Sequence, residues 1–362
     1  MIRSRMIWIV AAPAAILLTS AWAQEKPAVD HPGKWDAITD VPGVRVGNYT
    51  VRQDTTLRGV TATLFDGAGV CGLDVRGGNP VTSGDSTFNP TTVGEECDAV
   101  VFSGGSAFGL ATLPGVVDYL FDHKMGVPRG TFVIPIVPAA VIYDVQLDSA
   151  KIRPTYDWGY AAAKEAASGP MLQGNVGAGA GGTTGKRRGG VPIKGGLGTA
   201  SVVLSEGVTV GAMVILNAVG DVINPATNQL YATGGGFDRA TSYQPGANRS
   251  DGNTTLVLIA TDAELTKPQL TKIAQMAHDG LARAIRPIHT MGDGDAAYAV
   301  SVGIYTQRKK LTLTASQVVD RIGAAGADVL VRAIINGLQA AESIPRFPSY
   351  KEWLRTKGAG AK

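Results

Sequence analysis

The hydrophobic positions of this chain follow two rhythms. Short runs of β-branched and apolar residues, closed by Gly, Pro, Asn or Asp, read as strands over residues 60–65, 99–102, 132–137, 256–260 and 297–305. Residues 202–204 and 208–216 read as a hairpin around Glu206-Gly207. The folded part is expected to start at Val44-Arg45-Val46-Gly47, after a polar, Pro-bearing stretch from Gln24. Elsewhere apolar residues recur every three or four positions. Leu110, Leu113, Val116, Val117 and Leu120 share one helix face, and residues 158–167 are helical by their alanines. Thr266 caps a further helix with Pro268 in its first turn; its stripe is Leu270, Ile273, Ala274, Ala277, Leu281, Ala284 and Ile285. A last helix occupies residues 315–338. The rhythms mix without strict βαβ alternation, so the fold class expected is α+β, layered from sheets and helices, with no internal repeat. From 223 to 252 the pattern lapses into polar residues and Gly234-Gly235-Gly236, which reads as an exposed linker. It resumes abruptly in Asn253-Thr254-Thr255-Leu256.

Composition bounds this picture. The 362 residues are 44% hydrophobic and 17% charged, enough for one large domain or two ordinary ones, and the 47 Gly imply many tight turns. A net charge of +3, with Lys and Arg scattered apart from Lys186-Arg187-Arg188 and Arg308-Lys309-Lys310, gives no nucleic-acid footprint. Arg3 and Arg5, an apolar run over 7–18 and the small-x-small site Ala21-Trp22-Ala23 predict a secretory signal over residues 1–23. The competing reading is a membrane anchor, but the run is short for a span. The mature protein is expected to be periplasmic or secreted and free of the membrane. Cys71 and Cys97 are the only cysteines; they either pair in an oxidising compartment or remain buried thiols, and without nearby His ligands they form no metal site.

Several familiar chemistries fail on spacing. The glycine-rich run 174–186 contains one GxGxxG at Gly177, Gly179 and Gly182, but a helix precedes it and more glycine follows, so the dinucleotide reading fails. The phosphate-loop pattern fails at Arg187 and Ala180. What remains is a flexible, backbone-rich loop presenting Lys186. Ser106 lies in Gly-Gly-Ser-Ala-Phe-Gly, which is no nucleophile elbow. Of His31, His123, His278 and His289 no pair has zinc spacing, and only His289, near an Asp pair, is a candidate for catalysis. No cofactor or metal is expected.

Thr254 stands where the linker meets a strand. The ordinary reading is a hairpin turn entering a core strand, with Thr chosen for β propensity. The chemical reading is that a cut before Thr254 leaves a free α-amine beside its own hydroxyl. With a reference pKa of about 7.7–8.0 that amine is partly neutral and acts as a base for the hydroxyl. A linker ahead of a strand is a place where a chain is cut without losing its core. Such a nucleophile needs a cation, an oxyanion donor and orienting carboxylates. Lys186, Asn217, Asp293 and Asp295 supply these types; their plainer readings are a loop lysine, a strand-end amide and turn acids. Asp293 and Asp295 would share one site only if the chain bends at Gly294, and a cation, the Thr254 ammonium or Lys186, would have to offset their repulsion.

Residues 104–110, 137–144, 174–186, 194–201, 207–222 and 253–295 together carry a resemblance, most specifically Ala277-His278-Asp279-Gly280-Leu281-Ala282-Arg283-Ala284-Ile285-Arg286-Pro287. The chain resembles the self-processing family of L-aminopeptidase/D-amino-acid esterases and β-peptidyl aminopeptidases, in particular its 6-aminohexanoate-oligomer (nylon-oligomer) hydrolases. The resemblance implies a layered αββα sandwich of the N-terminal-nucleophile-hydrolase kind. It implies self-cleavage between Asn253 and Thr254 into a large subunit, 24–253, and a small subunit, 254–362. By position it implies Thr254 as nucleophile, Asp293 and Asp295 as the pair that holds it, Asn217 as oxyanion amide, Lys186 as the loop lysine and Tyr143 as the tyrosine facing the site. It implies a homo-oligomer of processed heterodimers acting on a small peptide or amide. Pro80-Val81-Thr82-Ser83-Gly84-Asp85 departs from the Gly-Thr-Arg-Glu run of many members, which leaves substrate specificity open. The expected function is that of an exported amide hydrolase; an ornithine-acetyltransferase-like acyltransferase and an uncut periplasmic binding protein are the alternatives.

Overall fold

A computed structural model describes residues 29–53, 56–147, 150–186, 192–224, 229–230, 252–303 and 308–359. The signal-like segment and residues 225–228 and 231–251 of the expected linker lie outside the described residues. The start of that linker is not structureless: Asp221–Asn224 pairs with both Gln229–Leu230 and Ile285–Arg286.

Nine strands form one large sheet. They are β1 (Val44–Gln53), β2 (Thr56–Val75), β3 (Thr82–Ser83), β4 (Glu96–Ser103), β5 (Ala139–Val141), β6 (Gly196–Val203), β7 (Thr209–Asn217), β8 (Thr254–Thr261) and β9 (Ala296–Val302). Their order is β6-β7-β8-β9-β2-β4-β5-β3, with β1 on β2. Only β8–β9 and β4–β5 run parallel. The long strand β2 serves both halves. Its register against β4 shifts between Leu64 and Gly69; before the shift it pairs with β1, and after it with β9. A bulge of this kind bends a strand and raises its twist.

Side-chain alternation then builds the layers. On β8, Val257 and Ile259 join the apolar cluster under helices α3 (Lys267–Ala284) and α4 (Ala315–Ala340), where α1 is Leu113–Asp122 and α2 is Tyr156–Lys164. Leu256, Leu258 and Ala260 point the other way, into an inner cluster shared with Phe65, Val100 and Phe102 of the opposite half. The Phe102 and Tyr298 rings meet across that core at 5.8 Å. On the far side, Val60, Ala62, Leu64, Ala99 and Val101 pack against α1 and α2. The order helix, sheet, sheet, helix is the αββα sandwich expected.

Two expectations change. The glycine-rich run is not a flexible loop: Gly177 through Thr184 are buried, and Thr183–Thr184 pairs with Ile193–Lys194. A last helix, α5 (Tyr350–Ala359), has no counterpart in the sequence reading, which ended at residue 338. Cys71 and Cys97 sit buried in the inner cluster and are unpaired. Among the described residues no helix is long and apolar enough to cross a membrane.

The α4–β6 contact shows how tight the layering is. A Cβ at Gly198 would lie 2.0 Å from the Ala333 carbonyl oxygen and 2.7 Å from the Gly337 nitrogen, backbone atoms that cannot swing aside. Gly198→Ala should therefore push the helix off the sheet and cost about 1–3 kcal/mol, the range of core overpacking. Urea unfolding would measure it, and an unchanged midpoint would mean the layers have slack.

Candidate active site

The site is assembled by strand register. β8 lies between antiparallel β7 and parallel β9, and the ladders place Thr254 opposite Asn217 and Leu256 opposite Ala296. One residue upstream, Asn253 bridges to Asp293. Thr254 shares the inner-facing parity of Leu256 and Leu258, and Asn217 that of Met213 and Ile215. Four expected residues, Thr254, Asn217, Asp293 and Asp295, thus meet at one end of two ladders.

In the unbroken chain the Thr254 hydroxyl donates to the carbonyl oxygen of Asn253 at 2.5 Å. The same oxygen accepts the Gly294 N–H at 2.8 Å. The carbonyl beside the hydroxyl is therefore held by a backbone donor at the distance expected of an oxyanion donor. The expectation for Gly294 needs correcting. It does not adopt the left-handed region; it is glycine because a Cβ would lie 2.7 Å from Thr254 Oγ1 and 3.0 Å from the Asn79 carbonyl oxygen. Its role as donor was missed by the sequence reading, whose only signal was a glycine between two acids.

Asn217, Lys186 and Tyr143 form one chain of hydrogen bonds. Lys186 Nζ donates to Asn217 Oδ1 at 2.8 Å and to its backbone oxygen at 3.2 Å, and the Thr183 N–H donates to Oδ1 at 3.1 Å. Asn217 Nδ2 donates to the Tyr143 carbonyl oxygen at 3.0 Å. Donors on one side and an acceptor on the other fix the amide's orientation. Its N–H group is thus engaged by Tyr143, not by Asn253. The Tyr143 ring lies against Gly252, where a Cβ would come within 2.5 Å of the ring.

Two buried charges hold these segments. Arg58 Nε donates to Asp144 Oδ1 at 2.7 Å, and the Gly105 N–H donates to the same oxygen at 2.7 Å, which anchors the residue after Tyr143. Lys194 Nζ donates to the carbonyls of Ala180 at 2.8 Å and Gly182 at 2.6 Å, bracing the glycine run that ends at Lys186. Burial lowers the Lys194 pKa to about 7, against the pull of Asp144.

The acids divide into different environments. Asp295 Oδ1 accepts the Thr255 N–H at 2.6 Å; Oδ2 accepts the His289 N–H at 3.1 Å and lies 2.8 Å from His289 Nδ1. Asp293 Oδ2 accepts the Thr290 N–H at 2.7 Å, while its Oδ1 is buried with no protein partner. Burial, and then the Asp295 charge, push the Asp293 pKa up to about 6, with Thr290 and Lys186 opposing. The two carboxylates therefore sit among different donors. His278 is buried on α3 with Nε2 3.1 Å from the Asp74 carbonyl oxygen; His31 and His123 bond locally elsewhere. Among the described residues no group of three or more His, Cys, Asp and Glu could hold a metal ion.

Comparison with known proteins adds identity to this geometry. The family model for peptidase family S58 matches residues 36–350. The chain is 37% identical over 342 residues to an uncharacterized aminopeptidase of Mycobacterium tuberculosis, covering 88% of this chain and 97% of that protein. It is 30% identical over 280 residues to the 6-aminohexanoate-oligomer endohydrolase of Paenarthrobacter ureafaciens, covering 72% of this chain and 74% of that protein. Among solved structures, the L-aminopeptidase D-Ala-esterase/amidase of Ochrobactrum anthropi, described as a variant of the Ntn hydrolase fold, matches with a TM-score of 0.68 at 22% identity, over 92% of this chain and 99% of that one. That likeness carries the fold.

The raised Asp293 pKa has a measurable consequence. A carboxyl favoured in its neutral form by folding contributes stability that is full below about pH 4 and lost as pH rises through about 6. A displacement from 3.8 to about 6 corresponds to at most about 3 kcal/mol, at roughly 1.4 kcal/mol per pH unit. Asp293→Asn, which stays neutral, should match the parent melting temperature near pH 4 and exceed it at pH 7.5. Both chains should carry Thr254→Ala, so that they are compared as the same unbroken chain. Parallel melting curves across that range would refute the assignment.

Proposed function

The chain belongs to peptidase family S58 and is a hydrolase of the aminopeptidase kind, and from that premise we propose that it cuts itself between Asn253 and Thr254 and then uses N-terminal Thr254 as its nucleophile. The observation that carries this reading is the convergence of the Thr254 hydroxyl and the Gly294 N–H on the Asn253 carbonyl oxygen. Attack by Oγ1 on that carbonyl carbon passes through an oxyanion facing the Gly294 N–H. The peptide C–N bond breaks, the nitrogen gains a proton, and Asn253 becomes an ester on Oγ1. Water hydrolyses the ester, leaving an Asn253 carboxylate and a Thr254 with a free α-amine beside its hydroxyl. That amine then takes the hydroxyl proton when Oγ1 attacks a substrate amide, and gives it to the leaving amine as the substrate C–N bond breaks. The acyl-enzyme ester is released by water.

In this reading Asp295 orients the nucleophile through the Thr255 N–H. Lys186 and Asn217 form the polar wall opposite, where Asn217 serves as an oxyanion amide once Gly252 and Asn253 are free to leave the Tyr143 ring. The substrates are linear amides: short peptides, β-amino-acid amides or 6-aminohexanoate oligomers, a reading supported by one relative named an aminopeptidase and another named for 6-aminohexanoate oligomers. The enzyme acts after export, with residues 1–23 removed, in the periplasm or outside the cell. It works as a homo-oligomer of processed heterodimers.

Thr254→Ala should remain one full-length chain on a denaturing gel and hydrolyse no amide. The wild-type small fragment should begin Thr-Thr-Leu-Val on N-terminal sequencing. A fully active enzyme that stays uncut would overturn the proposal. Asp295→Ala should stay folded and lose about a hundredfold in turnover, the scale of lost catalytic positioning; near-normal rates would reduce it to a turn acid.

A further inference from the structure

The reaction steps above leave one neighbour of the acid pair unused. His289 presents two donors to a single oxygen: its backbone N–H, 3.1 Å from Asp295 Oδ2, and its ring Nδ1, 2.8 Å from the same atom. With Nδ1 as the protonated ring nitrogen, both groups donate to that oxygen. The residue holds a left-handed backbone, φ 60°, uncommon for a side chain-bearing residue, and in that conformation both of its donors meet Oδ2. The ring is braced from behind. His278 meets it edge to face, with centroids 4.6 Å apart, and is itself held against the end of β2, with Nε2 3.1 Å from the Asp74 carbonyl oxygen and 3.4 Å from Asp74 Oδ2. Burial, and then His289, lower the His278 pKa to about 4, so at neutral pH it packs as a neutral ring.

What Asp295 does with its other oxygen gives this arrangement a purpose. Oδ1 accepts the Thr255 N–H at 2.6 Å. That N–H lies in the peptide plane joining Thr254 to Thr255, so fixing it fixes ψ of Thr254. The direction in which Oγ1 and the α-amine project follows from that angle. We propose that His289 is a positioning residue for the hydrolysis: acting through Asp295 and the Thr255 N–H, it aims the Thr254 nucleophile. The inference rests on Thr254 as nucleophile. His289 makes no direct contact with the reacting atoms in this scheme, because its Nδ1 is engaged by Asp295 and its Nε2 is buried without a protein partner. The sequence reading marked it as a candidate for its proximity to the acids; the structure places it one residue removed from the chemistry.

The test uses substitutions compatible with a left-handed backbone. His289→Gly keeps the N–H and removes the ring donor. His289→Asn keeps a side-chain donor near the Nδ1 position. Rates on an amide substrate should be normalised to the amount of chain cut at Asn253–Thr254, so that slow maturation is not counted as slow turnover. His289→Gly should lower kcat about ten- to a hundredfold with KM within about twofold of wild type, the signature of misplacement and not of lost binding. His289→Asn should recover kcat to within about threefold of wild type, and added imidazole should raise the rate of the Gly variant. Wild-type kcat in His289→Gly would overturn the inference, as would equal losses in the Gly and Asn variants in proportion to their melting temperatures. Should the Gly variant not fold, His289→Asp, the size of Asn but an acceptor against Oδ2, decides: a kcat within threefold of the Asn variant would also overturn it. Thr254→Ala in parallel separates the two ideas. If it still matures and turns over, the nucleophile assignment fails; if it is dead while His289→Gly is normal, only the role of His289 fails.

Discussion

The site depends on the register of β8 between its two neighbours. A strand paired on one side alone can slip; one held by an antiparallel ladder on one edge and a parallel ladder on the other slips only if both break. That double pairing puts Thr254 opposite Asn217 and brings the chain entering β9 alongside Asn253. A one-residue shift would turn Thr254 from the inner face, shared with Leu256 and Leu258, towards α3 and α4. The bulge in β2 enters the same constraint, because the second half of β2 is the far support of β9.

The residues that come from loops need another device, and the chain uses buried charge. Tyr143 and Lys186 lie on segments with short or no strand pairing, yet each is fixed from beneath. Asp144 is tied to Arg58 with both side chains fully buried, and burial pushes its carboxyl up even with that partner and Lys194 nearby. Lys194 brackets the glycine run through two carbonyls. Buried ion pairs are poor sources of net stability, since desolvation offsets attraction, but a half-removed pair is severely unfavourable. Here they exclude alternative loop positions, which is the property a catalytic loop requires.

Much of this was legible in sequence, for reasons that differ by element. The stripe from Leu270 to Ile285, with Thr266 and Pro268 ahead of it, gave α3 almost to the residue because period and caps agree. The run after Thr254 gave β8 because β-branched and apolar residues there stand between a turn and a polar stop. The glycine run misled: glycine marks both freedom and close approach, and only the packing of Lys194 beneath it distinguishes them. α5 was invisible because its sequence, from Tyr350 on, is mostly polar and has little apolar periodicity. The site residues themselves were found through family resemblance more than through spacing. Gly294 as a donor was not legible at all, since a backbone N–H leaves no mark on residue type.

The acid pair shows why one member could not be read as a copy of the other. Two carboxyls in Asp-Gly-Asp look equivalent in sequence, and repulsion between them suggests a shared counter-ion. The structure separates them by their donors. Asp295 receives three, from Thr255 and from both nitrogen donors of His289; Asp293 receives one, from the Thr290 N–H, and keeps an orphaned oxygen, and burial pushes its carboxyl up to about 6. Environments that push two neighbouring carboxyls apart assign them different work. Asp293, pushed up to about 6, is the one able to exchange a proton near neutral pH. That division costs stability at neutral pH, because Asp293 must then hold a charge in a buried site with one oxygen unpaired. An uncharged side chain there would fold more readily, so the fold alone does not account for the carboxyl.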